Sequence, residues 1–146
     1  MTRDTDSARI VVGVDGSEES IAALRHGARL ADALDAPLEA IAVWDYPLMI
    51  DPAYSANWSP EADAETILSE AVAEAFEGSP PRGLTQLVLQ GSAARRLIEQ
   101  SAKASMLVVG SRGHGGFAGL LLGSVSAACA AHAHCPVLII HSPDAS

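Results

Sequence analysis

Glycines at positions 110, 113, 115, 116 and 123, interleaved with Ser111, Arg112 and His114 and followed by Ser124, give one stretch of this sequence the makings of an anion site. Glycine lets the backbone approach a phosphate closely and adopt positive φ, and free N–H groups at a helix N-terminus donate to the oxygens. The spacing is Gly110-x2-Gly113-x9-Gly123-Ser124. It is not the P-loop spacing, and no Gly-Lys-Ser/Thr occurs in the chain. A lysine-based P-loop is excluded.

Such a loop needs a strand before it and a helix after it. The apolar run Met106 to Val109 reads as a buried strand, and Ser124 to about Ala133 as a helix. Upstream, Ile10 to Val14 is a strand that ends in the turn Asp15-Gly16-Ser17. Ser17 caps the next helix, with Glu18 and Glu19 in its first turn, where the dipole favours carboxylates. Ile21, Leu24, Ala28, Ala31 and Leu34 then recur at helical spacing and predict one buried stripe. Leu38 to Val43 predicts a second strand. Ser59-Pro60-Glu61 opens a helix whose apolar face is Ala64, Ile67, Leu68, Ala71, Val72, Ala75 and Phe76, and Gly78-Ser79-Pro80-Pro81 breaks it. Leu84 to Leu89 is a third strand, Ser92 caps a helix carrying Leu97, Ile98 and Ala102, and Pro136 to Ile140 is the fifth strand. Strands alternating with helices predict an α/β fold: a single doubly wound, five-stranded parallel sheet with helices on both faces.

The segment from Met106 to His141 resembles the C-terminal signature of the universal stress protein family, and Ile10 to Ser17 is similar to its first strand and turn. The resemblance runs over nearly the whole chain and is weakest from Trp44 to Pro60. It implies strand order 3-2-1-4-5, which sets strand one beside strand four, so that Asp15 and Gly110 flank one crevice at the carboxyl ends of the strands. Ligands of open α/β sheets lie in such a crevice, where strand order reverses. Ser105 stands where the family usually has aspartate, at a position remote from the glycine loop.

The resemblance also implies a ligand, ATP with or without Mg. The phosphates would be held by Gly110, Ser111, Arg112, Gly113, His114, Gly115, Gly116, Gly123, Ser124, Val125 and Ser126. Val125 would offer a helix N-terminal N–H, and Ser124 and Ser126 hydroxyls. The nucleoside end falls to Gly13, Asp15 and the backbone of Val43. Two residues keep second readings. Asp15 is also a turn-capping aspartate before Gly16, and Arg112 is also a solvated loop arginine.

Composition narrows the function classes. A chain of 146 residues with net charge −9 and 49% hydrophobic residues is expected to be one domain over 1–146, with 1–8 a disordered tail and 142–146 a second tail. The acidic balance, with no basic run, argues against nucleic acid and anionic membranes. The first residues carry no apolar signal, and two cysteines without a secretory context fit a reducing cytoplasm. Cys129, His132, His134 and Cys135 are spaced Cys-x2-His-x-His-Cys rather than as paired Cys-x2-Cys, so core packing is preferred to a metal site. There is no nucleophile elbow, no His-Glu-x-x-His and no acid–base pair, hence no catalytic assignment. The aromatics Trp44, Tyr46, Tyr54 and Trp58 either cover a ligand or anchor a loop.

The expected function is therefore an ATP-binding regulatory protein of the stress-response type, a nucleotide-dependent switch rather than a fast catalyst. The alternatives are a slow ATPase or phosphotransfer enzyme on the same fold, and a binder of AMP or cyclic AMP. The apolar strand Val137-Leu138-Ile139-Ile140, at a sheet edge in the implied order, is expected to form a homodimer.

Overall fold

The computed structural model describes residues 9–46, 59–112 and 123–141. Within them the chain alternates strand and helix: β1 (Ile10–Gly13), α1 (Glu18–Leu34), β2 (Leu38–Trp44), α2 (Pro60–Phe76), β3 (Leu84–Gln90), α3 (Ala93–Ser101), β4 (Met106–Gly110), α4 (Ser124–His132) and β5 (Val137–Ile140). The strands form one parallel sheet in the order β3-β2-β1-β4-β5.

Alternation along the strands explains the two cores. Ile10, Val12, Leu38, Ala40 and Val108 face α1 and α2. Val11, Ile41, Leu107 and Val109 face the other way, where Leu97 of α3 and Cys129 of α4 cover them. A central parallel strand is buried on both faces, which is why β1 and β4 read as continuous apolar runs. β3 and β5 are the two edges.

Capping follows the sequence closely. Ser17, Ser59 and Ser92 accept from the backbone N–H of Ser20, Ala62 and Arg95, closing the first turns of α1, α2 and α3. Ala102, expected on α3, is instead its exposed C-cap, because the helix ends at Ser101. Two expected core positions also fail, and geometry explains both. Leu34 is 53% exposed, and Ile67 is 40% exposed. At about 100° per residue, Leu34 lies some 80° round the helix from Leu24, and Ile67 lies 100° from Leu68. Both fall off the stripe that meets the sheet. Strand ends also shift by one residue: β1 stops at Gly13, β2 reaches Trp44, β3 Gln90 and β4 Gly110. β5 starts at Val137 because Pro136 has no N–H to give the ladder.

Candidate functional site

The crevice opens because β1 and β4 part. Their register runs from Ile10↔Met106 to Val12↔Val108. The ladders on either side run further: β1 and β2 pair to Gly13↔Ile41, with the Val14 N–H on the Ile41 carbonyl at 2.8 Å, and β4 and β5 pair to Gly110↔Ile140, with the Ser111 N–H on the Ile140 carbonyl at 2.7 Å. The sheet therefore divides at the point where strand order reverses, as ligand clefts of this architecture require.

Backbone direction shows what faces the gap. Residues two apart on a strand turn their polar groups to the same side. Ile41 bonds toward β1, so Val43 also faces that side, past the last β1 partner. Ser111 bonds toward β5, so its neighbour Gly110 faces β1, past Val108. Val43 and Gly110, from opposite sides, thus border the same opening, with Gly13 and Asp15 between them where β1 leaves the sheet.

Gly110 has a packing reason to be glycine. A Cβ on Gly110 would lie 2.6 Å from Cβ of Glu19 and 2.9 Å from its carbonyl carbon. The first turn of α1 rests directly on the end of β4. At Gly13, on the opposite face, an added Cβ would lie 2.8 Å from Cδ1 of Leu97, the tip of an α3 side chain rather than backbone.

Asp15 is exposed, and its Oδ1 accepts from the Ser17 N–H at 2.9 Å and from the Ser17 hydroxyl. The Asp15 N–H lies 3.4 Å from Oγ of Ser20, whose hydroxyl donates to the Ser17 carbonyl at 2.9 Å. This is an Asx turn built into a helix cap. Ser20, buried beside Gly110, was not picked out from the sequence. Its signal was the Ser17-x-x-Ser20 spacing at a helix start, which places a second short hydroxyl against the turn.

The glycine segment is tied at its two ends. The Gly123 N–H donates to the Ser111 carbonyl at 2.7 Å, and the Ser126 hydroxyl lies 2.8 Å from the same oxygen. Ser111 and Ser126 are both buried. Gly123 caps α4 with φ −72° and ψ 167°, and no side chain bonds the first turn. Among the described residues α4 is thus the one helix whose first N–H groups, from Ser124 to Ser126, lack a capping side chain. Ser124 is exposed and Val125 half-buried. Arg112, half-buried, makes no ion pair among the described residues. Gly113, His114, Gly115 and Gly116 lie outside the described residues, as do Tyr54 and Trp58. Trp44 packs on the core and meets Tyr46 edge-on at 5.3 Å.

The cysteine cluster resolves into core and surface. Cys129 is fully buried, and its thiol is pushed up to about 11 by burial and, less, by Cys135. Burial also raises the Cys135 thiol, against a lowering backbone hydrogen bond at Leu107. His132 and His134 are exposed. Thiols held protonated in this way are poor metal ligands. A groove between α1 and α2, lined by Asp15, Ile21, Ile67, Glu70 and Glu74 among others, presents three carboxylates and is unsuited to a phosphate.

A model described as the universal stress protein family matches residues 7–141. The chain belongs to that family. It is 35% identical over 133 residues to universal stress protein Rv2623 of Mycobacterium tuberculosis, covering 90% of this chain and 44% of the relative. The chain therefore spans less than half the length of that mycobacterial relative. Universal stress protein MJ0531 of Methanocaldococcus jannaschii is 31% identical, with 92% of this chain and 82% of the relative covered. Among solved structures, a universal stress protein in complex with cAMP superposes with a TM-score of 0.70 at 28% identity, over 94% of this chain and 99% of that one.

Proposed function

We propose that this chain is a nucleotide-binding member of the universal stress protein family that acts as a switch, with ATP, with or without Mg, as its ligand. The uncapped N-terminus of α4 carries the reading. Three N–H groups and the positive end of the helix dipole stand beside the crevice between β1 and β4, a ready site for phosphate oxygens. The exposed Ser124 hydroxyl, Arg112 and the backbone of Gly110 complete the polar set, and the nucleoside end falls to Gly13, Asp15 and the backbone of Val43. The chain acts as one nucleotide-binding unit, in the cytoplasm, where its two free thiols are kept reduced. No helix among the described residues is long and apolar enough to cross a membrane.

Binding in the micromolar range, about −8 kcal/mol, is expected. Turnover is expected well below about 1 per second, since the sequence offers no acid–base pair. A second reading, AMP or cyclic AMP as ligand, is supported by the cAMP complex of the structural neighbour. Mass spectrometry of nucleotide released on denaturing the purified protein tests both, and Gly123→Val adds a control. The φ of Gly123, −72°, suits any residue, so loss of binding in that variant reports occupied space rather than strain. ATP found bound and lost in Gly123→Val is the expected result. Unchanged affinity in that variant contradicts the site.

A further inference from the structure

The sequence offers Ser126 as one of two hydroxyls for a phosphate, yet its surroundings give that hydroxyl another task. Ser126 is the third residue of α4 and is 2% exposed. Its Oγ lies 2.8 Å from the Ser111 carbonyl and 3.1 Å from the Gly123 carbonyl. A serine hydroxyl has one hydrogen, and here it is directed at carbonyl oxygens of the protein. A phosphate oxygen needs a donor, so the remaining lone pairs of Ser126 offer it nothing.

Both bonds to the Ser111 carbonyl join the same two pieces of chain. The Gly123 N–H reaches that oxygen at 2.7 Å, and Ser111 is itself anchored through its N–H to Ile140 at 2.7 Å. The exit of β4 and the cap of α4 are thereby held together at a single acceptor. We infer that Ser126 is a positioning residue for nucleotide binding: it ties the start of α4 to the end of β4, so that the uncapped N–H groups of Ser124 and Val125 keep a fixed direction. The inference rests on the nucleotide reading above. Holding donors in place before the ligand arrives removes an ordering cost from binding.

The hydroxyl can be removed without orphaning a buried group. The Ser111 carbonyl keeps the Gly123 N–H, and the Gly123 carbonyl keeps the Ala127 N–H at 2.9 Å. Ser126→Ala therefore loosens the junction and leaves the core satisfied.

The test compares Ser126→Ala, Ser126→Cys and Ser126→Thr in the full chain. Affinity for ATP, and for cyclic AMP as a second probe, is read by calorimetry. Amide exchange at Gly123 is read without ligand, with the Val108 amide as core reference. Loss of one net hydrogen bond predicts about tenfold weaker binding and about tenfold faster Gly123 exchange in the Ala variant, with Val108 unchanged. Cys, close in volume and a weak donor, follows Ala and serves if the Ala protein does not fold. Thr keeps the hydroxyl and stays within about threefold of the parent in both measures. Weaker binding with unchanged Gly123 exchange would mean that the hydroxyl touches the ligand, and overturns the inference. Faster exchange with unchanged affinity, or a Thr variant as impaired as Ala, overturns it equally. A parent protein that takes up neither nucleotide overturns the nucleotide reading itself, and shows this before any substitution is made.

Discussion

At the scale of single residues, packing and ligand chemistry compete to explain the same glycines. Gly110 looks like a phosphate glycine in the sequence, but its missing Cβ is the space in which Glu19 sits. Gly110→Ala must push backbone atoms of α1 away, and is expected to cost about 1–3 kcal/mol in urea unfolding even without nucleotide. No change in stability would leave ligand approach as the reason for the glycine. Cys129 gives a second residue-scale expectation. Its folded value of about 11 lies above the usual 9.0, so the folded state keeps the proton that the unfolded chain gives up. Stability from this thiol is complete below about pH 9 and falls away as pH rises toward 11, by roughly 2–3 kcal/mol. The pH dependence of unfolding should therefore flatten in Cys129→Ala over that window. The candidate site residues stood out by type and spacing, glycine, serine and aspartate gathered at strand ends. Their partners did not: that Ser126 turns inward, or that Ser20 meets Asp15, depends on contacts between segments that no local pattern encodes.

At the scale of elements, the α4 N-terminus is the distinctive feature, and charge there tests it. Ser124→Asp places a carboxylate at the positive end of the helix. It should leave thermal stability unchanged or raise it by about 0.3–1 kcal/mol through the dipole. The same carboxylate occupies the phosphate position and repels it, so nucleotide affinity should fall at least about tenfold. Calorimetry and a melting curve on one sample separate the two effects. Undiminished affinity would place the phosphates elsewhere. The nine elements of the described residues were readable from apolar runs, helical spacing and caps, with ends displaced by a residue or so. The displacement at β5 has a local cause, the proline that precedes it. Leu34 and Ile67 were misplaced because apolar spacing marks a stripe but not its width. The width is set by how far the sheet extends beneath the helix.

At the scale of the whole molecule, the two sheet edges differ. β3 presents Thr85, Gln86 and Gln90 to solvent, whereas β5 is apolar throughout, with Val137, Leu138 and Ile139 half-buried. An apolar edge without a guarding charge invites a second strand. We propose a two-fold homodimer through β5, with a mass in sedimentation of twice 15.1 kDa. Ile139→Pro removes a backbone donor from the edge and should yield monomer or misfolded protein. A parent protein that remains monomeric at high micromolar concentration contradicts the dimer. The strand order that sets β5 at the edge came from the family resemblance, since alternation of strands and helices alone allows several parallel orders.

The central claim is that a nucleotide lies between the parted ends of β1 and β4, with its phosphates at the start of α4. A nuclear magnetic resonance titration of the amide signals with ATP, AMP and cyclic AMP tests it most directly. The amides of Ser124, Val125, Ser126, Gly110 and Val43 are expected to shift together, saturating at a micromolar dissociation constant for at least one of the three ligands. Shifts confined to the acidic groove at Ile67, Glu70 and Glu74, or no shift with any of the three, would contradict the account.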